Sequence, residues 1–350
     1  MSNALVHLVR NTVMGACAML LLAQGPAAAD DALTVALSQN TPPLMNALNL
    51  IAAGAGFYKQ EHLDVTTSRL AHGSDAFQAC VHGPADICPV GIEEGIAGYP
   101  RGDFMKMFLT RASKFGYVIA VLDDSPIKTL ADLKGKTIGV HSITGTSPVL
   151  ATKSSLATVG LKEGDYTFVA IGMNDSALGM FTSGKVQAAA LPMYELIPYM
   201  VGGLKLRIFH HPILADSANA GYLASPATLA GRHDAIARFS RAIVKAALLV
   251  RLRPEAAARA LLTADGKPFT DADVARKVAE FTAWQDDLPA ADPGSRRIAT
   301  PSVAGMQAYL KILKDAGDLK ADVPVSAVVT DEFGAAANDF DHKTIDNFTK

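Results

Sequence analysis

The chain has 350 residues, of which 49% are hydrophobic and 19% are charged, and its formal net charge is −2. This composition provides enough apolar material for one large domain or two of ordinary size, and it excludes a largely disordered chain. Because there is no basic excess, the sequence predicts no nucleic-acid partner and no attraction to an anionic membrane surface.

The first 29 residues differ from the rest of the chain. Arg10 precedes an apolar run at 12–22, which is followed by the helix breakers Gly25-Pro26 and by three alanines ending at Ala29. This order is typical of a secretory signal peptide, and the run is shorter than the roughly 20 residues of a transmembrane helix. Cys17 lies inside the run rather than at its end, which disfavours a lipoprotein anchor. We predict periplasmic export, cleavage after Ala29 and a mature chain that is not an integral membrane protein.

Two cysteines follow the predicted signal peptide, Cys80 and Cys88. In an oxidising compartment they could form a disulfide if the geometry of the chain allows it. The alternative is two small, buried thiol side chains. The sequence leaves both alternatives open.

The mature chain begins with alternating strand and helix patterns. Apolar and polar residues alternate at 33–38, which predicts a strand, and apolar residues recur at helical spacing in 42–55. The patterns that follow predict a strand, a helix and a strand at 63–70, 74–81 and 86–90. The order βαβαβ indicates a largely parallel sheet covered by helices.

The same order of elements recurs about a hundred residues later. Strands are predicted at 136–140, 167–171 and 187–191, and helices at 148–159 and 175–182. Gly83 and Gly184 occupy equivalent places at the ends of the second helices of the two units. Two similar α/β units in one exported chain predict two lobes that face each other across a cleft.

Two extended apolar segments flank the second unit, at 117–124 and 218–224, and we expect them to be the strands that join the lobes. Helical patterns at 232–253, 271–284 and 302–316 are expected to complete the first lobe. The predicted first lobe therefore comprises residues 30–121 and 217–350, and the second lobe comprises residues 122–216.

Three motifs occur in a characteristic order. The strongest is ADLKGKTIGV at 131–140, which is preceded by GFYKQE at 56–61 and GPADI at 83–87. Together they resemble the NMT1/THI5-like family of ABC-importer binding proteins for sulfonates, taurine, nitrate and thiamine-pyrimidine precursors. The resemblance covers residues 32 to about 285. It departs at His62, where the family usually has a glycine in a turn.

The resemblance implies a type II periplasmic binding fold, in which two α/β lobes are joined by two hinge strands and a ligand binds in the cleft. It implies a monomeric receptor without enzymatic activity or cofactor, which binds a small organic anion such as a sulfonate or carboxylate and docks on an ABC-importer permease. One alternative ligand is a heteroaromatic precursor such as a thiamine pyrimidine. Another possibility is an enzyme of the thiamine-pyrimidine synthase type, whose cysteine-rich iron motif this sequence lacks. A third alternative is a sensing module that delivers its ligand to a membrane receptor.

Ligands of open α/β sheets gather beyond the carboxyl ends of strands, where helix N-termini offer unpaired N–H groups. The loop at 141–147 fits this description best, because its hydroxyls and glycine lead into Pro148, the first residue of a predicted helix. No catalytic and no metal-binding residue is predicted. The predicted ligand-binding residues are Gln39, Asn40, Thr41, Gly73, Ser74 and Gly91 in the first lobe, and Gly145, Thr146, Ser147, Asn174, Tyr194 and Glu195 in the second.

Three of these residues have simpler alternative roles. Ser147 fits an ordinary helix N-cap as well as an anion contact. Tyr194 fits either stacking on a flat ligand or packing at the edge of its lobe. Glu195 fits either contact with a cationic group or a solvated carboxylate at a helix start.

Overall fold

The computed structural model describes residues 30–38, 44–144, 146–172, 175–289, 298–319 and 321–348. The predicted signal peptide and its cleavage site after Ala29 lie outside these ranges. The strands, in chain order, are β1 (Asp31–Ser38), β2 (Leu63–Leu70), β3 (Cys88–Gly91), β4 (Lys106–Thr110), β5 (Tyr117–Leu122), β6 (Thr137–Val140), β7 (Thr167–Ala170), β8 (Ala188–Pro192), β9 (Leu206–Phe209) and β10 (Ala220–Ala224).

Helices cover these strands and fill much of the remaining chain. They are α1 (Ala47–Gly54), α2 (Phe57–Gln60), α3 (Gly73–Val81), α4 (Ile92–Gly98), α5 (Thr146–Ala157), α6 (Asp175–Thr182), α7 (Met193–Val201), α8 (Pro226–Gly231), α9 (His233–Leu252), α10 (Pro254–Asp265), α11 (Asp271–Ala283), α12 (Val303–Asp315), α13 (Val325–Val328), α14 (Gly334–Ala337) and α15 (Lys343–Asp346). Among the described residues, no helix combines the length and apolar character needed to cross a membrane.

The sheet of the first lobe takes four strands from the part of the chain before the second lobe and one strand from the part after it. β1 pairs in parallel with β2 along its whole length, and a parallel bridge between Val35 and Ile87 connects β1 to the start of β3. β10 lies between β3 and β4 and runs antiparallel to both. The strand order is therefore β2–β1–β3–β10–β4.

The second lobe repeats this arrangement. β6 lies between β7 and β8 and is parallel to both, while β5 is antiparallel to β8 and to β9. The order β7–β6–β8–β5–β9 places one antiparallel strand in the fourth position, as β10 does in the first lobe. The two-lobed α/β architecture predicted from the repeated βαβαβ pattern is confirmed.

The chain crosses between the lobes twice. The first linker, residues 111–116, joins β4 to β5, and the second linker, residues 210–219, joins β9 to β10. The two segments predicted to join the lobes correspond to β5 and β10. Each of these strands pairs within the sheet of one lobe, β5 in the second lobe and β10 in the first. An apolar extended pattern does not disclose which sheet a strand joins. We therefore place the lobe boundaries in the linkers, so that β5 belongs to the second lobe instead of the first.

The largest core lies in the first lobe around α9. Ile236, Phe239, Ile243 and Val250 are fully buried, and they recur at the helical spacing that the sequence shows. Phe239 stacks on Tyr58, with 5.7 Å between the ring centroids. Burial of each such side chain stabilises the fold by about 2 kcal/mol before chain entropy is counted. The predicted helix at 232–253 is confirmed, and it ends where Pro254 cannot continue it.

The structure shows the state of the two cysteines and the conformation of the turn at His62. Cys80 and Cys88 are both buried and free, so the structure has the thiol pair rather than a disulfide. His62, which replaces the family's glycine, has a φ of 52° in the left-handed region. The turn before β2 therefore keeps its conformation with a residue that adopts it at a small cost.

Candidate functional site

A cavity of about 200 Å³ lies between the lobes, beside both linkers. The first lobe lines it with Ser38, His72, Gly73, Ser74, Val90, Gly91, Glu94 and Ala220. The first linker adds Arg111 and Gly116, and the second lobe adds Tyr117, His141, Ser142, Thr144, Ser147, Pro148, Pro192 and Tyr194. The carboxyl ends of β1, β3, β6 and β8 all lead to this place, as expected for a ligand site of an α/β protein.

The first wall contains the start of α3. His72 is its N-cap residue, and the backbone N–H of His72 donates to the Asp75 carboxylate at 3.1 Å, which completes a capping box. Gly73 and Ser74 follow at the first helical positions and line the cavity. The positive end of the helix dipole therefore lies at the cavity and favours a negative group on a ligand.

Arg111 brings a positive charge to the cavity from the first linker. Its side chain is buried, with Nη1 donating to the carbonyl of Pro89 at 3.3 Å. Its guanidinium carbon lies 5.7 Å from the centre of the Tyr194 ring. Burial raises the pKa of Tyr194, an effect that the nearby Arg111 opposes. Arg111 is therefore held in place by one contact to each lobe.

Two adjacent carboxyl groups of α4 lie on the same side of the site. Glu94 lines the cavity and is 8% exposed, and its Oε1 accepts a long hydrogen bond of 3.5 Å from Ser147 Oγ of the second lobe. Glu93 lies behind the cavity wall and is fully buried. Burial raises the pKa of Glu93 to about 7, against the opposing effect of hydrogen bonds from Tyr309 and Asn219.

On the opposite wall, a histidine is fixed by a buried carboxylate. His141 Nε2 lies 2.8 Å from Glu195 Oε2, and both side chains are largely buried. His141 follows β6 and lines the cavity, whereas Glu195 lies behind it on α7. The ring of Tyr117 contacts that of His141 edge-on, with 6.5 Å between centroids. This wall therefore offers a positioned imidazole and an aromatic surface.

The structure brings five of the predicted binding residues to the cavity: Gly73, Ser74, Gly91, Ser147 and Tyr194. Glu195 is placed differently, because its carboxylate orients His141 and does not line the cavity. Gln39, Asn40, Thr41, Gly145 and Asn174 lie outside the described residues, and so does the side chain of Thr146. Ligand contact by any of these residues stays a prediction.

The cavity is also lined by residues that are not predicted from the sequence, namely Arg111, Glu94, Tyr117 and the two histidines at 72 and 141. Arg111 comes directly after the apolar strand β4, and a charged residue at such a place is the signal that could have identified it. Glu94 and Tyr117 carry no comparable local signal, since only the approach of the two lobes brings them to one cavity. In the described part of the chain, no group of three or more His, Cys, Asp or Glu side chains is arranged to hold a metal ion.

Several solved structures share this fold. A protein of Bordetella bronchiseptica RB50 superposes with a TM-score of 0.68 and 23% identity, over 88% of this chain and 96% of its own. The alkanesulfonate-binding protein SsuA from Xanthomonas axonopodis pv. citri, bound to MOPS, gives a TM-score of 0.64 at 19% identity, over 87% of this chain and 99% of its own. At these identities the similarity establishes the type II periplasmic binding fold.

Sequence comparison adds the family. A protein of Brucella abortus (strain 2308), which carries the provisional name of a binding protein, is 27% identical over 172 residues, or 47% of this chain and 51% of the relative. The chain thus spans about half the length of the curated relatives that it matches. Residues 46–257 match the family described as NMT1/THI5 like, which is more than half of the chain. The chain therefore belongs to the NMT1/THI5-like family.

Proposed function

We propose that this protein is the extracytoplasmic solute-binding receptor of an ABC importer, which captures a small molecule between its lobes and does not transform it. The observation that carries this proposal is the cavity of about 200 Å³, whose walls come from both lobes and from the first linker. A ligand there would contact two bodies that can move about two linkers. Ligand binding would then stabilise the closed arrangement, which is the form that a membrane permease would recognise.

The primary ligand class that we propose is a small organic anion, a sulfonate or a carboxylate. Arg111 supplies a buried guanidinium, whose planar donors suit either group. The N-terminus of α3 adds backbone N–H groups beside Gly73 and Ser74. The fold neighbour named for alkanesulfonate binding supports the same class.

Specific side chains also favour the alternative, a heteroaromatic molecule with an amino group. Glu94 is a carboxyl group in the cavity wall and can accept hydrogen bonds from such a group. Tyr117 and Tyr194 supply aromatic rings on the side of the second lobe, where a flat molecule can stack. The cavity thus combines one guanidinium with one carboxyl, and a ligand carrying both an acidic and an amino group would satisfy both.

An enzyme on the same fold is the competing proposal from a different class. Neither Cys80 nor Cys88 lines the cavity, so neither thiol is placed to attack a ligand bound there. The His141–Glu195 pair resembles the base and orienting acid of hydrolases, yet the same pair serves equally as a fixed hydrogen-bonding group. Recovery of the bound molecule in unchanged form distinguishes the receptor from the enzyme.

The test is identification of the ligand on the purified protein. Native mass spectrometry detects a co-purifying molecule, and a thermal-shift panel of alkanesulfonates, carboxylates and aminopyrimidines extends the search. A true ligand at 100 times its Kd should add about 2.7 kcal/mol to the free energy of unfolding. It should also be recovered unchanged after prolonged incubation. Chemical conversion of the molecule, or the absence of binding by every class on the panel, would argue against the receptor.

We also propose that the chain is exported to the periplasm, loses its leader after Ala29 and acts as a monomer with a permease partner. The order of charge, apolar run and small residues in 1–29 supports export. N-terminal sequencing of protein recovered from a periplasmic extract tests it, because processed protein must begin at Asp30. Recovery of the uncut chain from the cytosol would contradict the proposal.

A further inference from the structure

Asn219 connects the two linkers to each other. It is the last residue of the second linker and is 1% exposed. Its Oδ1 accepts a hydrogen bond of 2.6 Å from the backbone N–H of Gly116, the last residue of the first linker. Its Nδ2 donates to Glu93 Oε1, also at 2.6 Å, and its backbone carbonyl accepts from the N–H of Ile92 at 2.8 Å. One buried residue therefore ties both linkers to the start of α4.

Glu93 is bonded through only one of its carboxyl oxygens. Oε1 accepts from Asn219 and from the hydroxyl of Tyr309 on α12, the latter at 2.7 Å. Oε2 is buried and has no hydrogen-bond partner among the described residues. A Cβ added to Gly91 would lie 2.5 Å from Ser147 Oγ and would also clash with this oxygen. Gly91 belongs to the first lobe and Ser147 to the second, so Oε2 lies at the seam between the lobes.

Full burial of Glu93 opposes a negative charge on its carboxyl group, whereas the hydrogen bonds that it accepts from Tyr309 and Asn219 favour one. Tyr309 from α12 and Tyr117 from β5 are the titratable groups that face it from other elements, and Glu94 follows it on α4. Asn219 and Ser147 face it as neutral groups. Burial raises the pKa of Glu93 to about 7, so the carboxyl group changes its charge near neutral pH. An ionised Glu93 would gain a donor for Oε2 if the seam opened to water.

We propose that Glu93 and Asn219 form a proton-dependent latch on the two linkers, which holds the lobes together while Glu93 is protonated and releases them when it ionises. The inference rests on the proposed receptor function, because a latch of this kind has a role only if the lobes move about their linkers. Glu93 and Asn219 act here as positioning residues, since neither lines the cavity. Solute capture would then be tighter at acidic pH than at alkaline pH.

The test measures the distance between the lobes without any solute. Spin labels are attached to Lys59→Cys in the first lobe and Lys185→Cys in the second, both exposed positions, and the distance is followed by pulsed electron paramagnetic resonance from pH 5.5 to 8.5. Labelling of the parent chain measures the background from native thiols. In the parent protein, we expect the mean distance between the two labels to increase with pH, with a midpoint near pH 7. In Glu93→Gln, we expect the distance to stay short at every pH. Gln keeps an acceptor for Asn219 and Tyr309 but does not ionise.

The matched control is Asp287→Asn. Asp287 lies beside the first linker, where its carbonyl accepts from the N–H of Ser113 at 2.9 Å, and burial raises its pKa to about 6. This variant should keep the pH-dependent change of distance. The latch is overturned if the distance in the parent protein does not depend on pH, if Glu93→Gln still opens, or if Asp287→Asn abolishes the opening.

A second measurement uses the unchanged protein and does not depend on the folding of a variant. The amide resonance of Gly116 should titrate with a midpoint near pH 7, because its acceptor Asn219 is bonded to Glu93. A Gly116 amide shift that stays constant across this range would also overturn the latch. Failure of the receptor proposal is separate, since it would appear as the absence of a bound solute while the pH-dependent opening persisted.

Discussion

Arg111 and Tyr194 meet across the cavity, with the guanidinium carbon 5.7 Å from the centre of the tyrosine ring. Arg111 comes from the first linker and Tyr194 from α7 of the second lobe, so the contact joins a linker to the lobe that it enters. A cation over an aromatic ring is worth up to about 2 kcal/mol when both groups are desolvated. Arg111 is 7% exposed whereas Tyr194 is only half-buried, so the contact is partly desolvated and is worth less than that limit. The same guanidinium can therefore bind an anionic ligand while its position stays fixed.

Replacement of Arg111 should weaken the binding of an anionic ligand. We expect Arg111→Met to lower affinity by about 100-fold, which corresponds to the loss of a charge-assisted, bidentate contact. Arg111→Lys keeps the charge but loses the planar donors and the stacking on Tyr194, so an intermediate loss of about 10-fold is expected. Isothermal titration with the identified ligand measures both effects.

The control for this series is Arg276→Met. Arg276 is an exposed arginine of α11 that pairs with Asp273 and lies outside the cavity lining. It should bind the ligand as the parent protein does. Equal affinity of Arg111→Met and the parent protein would show that the guanidinium does not contact the ligand.

Replacement of Glu94 distinguishes the two ligand classes. Glu94→Gln removes a negative charge from the cavity wall and changes the shape of the side chain very little. For a simple sulfonate or carboxylate, affinity should stay the same or increase, because like-charge repulsion is removed. For a ligand whose amino group donates to Glu94, affinity should fall by about 10-fold or more. Titration of one ligand from each class against both proteins gives the answer, and a loss of affinity for the simple anion would contradict the first assignment.

Much of the fold could be predicted because its signals are local. Residues 129–140 contain a short helical turn with a capping box between Thr129 and Asp132, then Gly135 with a φ of 72°, and then β6. Each step is set by neighbouring residues, so the sequence discloses it directly. The strand at 63–70 and the helix at 175–182 have their predicted bounds for the same reason.

Less of the site could be predicted, because its contacts join distant parts of the chain. His141 and Glu195 are separated by 54 residues and meet only after β6 and β8 pair in one sheet. Glu195 at a helix start looks like a solvated carboxylate until the position of His141 is known. The approach of Glu94 to Ser147 similarly depends on how the two lobes close. A strand–loop pattern predicts which sheet edge holds a site, but not which side chains of the opposite lobe complete it.

His211 should make stability depend on pH in the acidic range. It is 1% exposed in the second linker, and its Nδ1 accepts from the N–H groups of Ile213 and Leu214 at 3.2 and 3.0 Å. Burial lowers its pKa from 6.5 to about 4. Because the unfolded chain binds the proton more readily, the contribution of neutral His211 to the free energy of unfolding is complete above pH 6.5. It is lost as the pH falls towards 4. The loss should amount to about 3 kcal/mol.

The measurement is denaturant unfolding of the parent protein and of His211→Asn between pH 4 and 7. Asn keeps an acceptor for the two N–H groups but does not titrate, so the difference in unfolding free energy should change with pH in this range. Taking the difference at each pH cancels the contributions of other groups such as Glu93. His342→Asn, at an exposed position, serves as the control and should follow the parent protein. A difference that does not vary with pH would show that His211 titrates equally in the folded and unfolded chains.

Two glycines of the cavity provide a matched pair for testing closure of the lobes. A Cβ on Gly91 would meet Ser147 Oγ at 2.5 Å and clash with Glu93, whereas the nearest atom to a Cβ on Gly73 is a Val90 methyl at 3.9 Å. Gly91→Ala should therefore force the lobes apart and lower ligand affinity by at least 10-fold, and Gly73→Ala should change the backbone packing little. Small-angle scattering should give a larger radius of gyration for Gly91→Ala alone. If both variants kept the radius of gyration and the ligand affinity of the parent protein, the close approach of Gly91 to Ser147 would not control closure of the lobes.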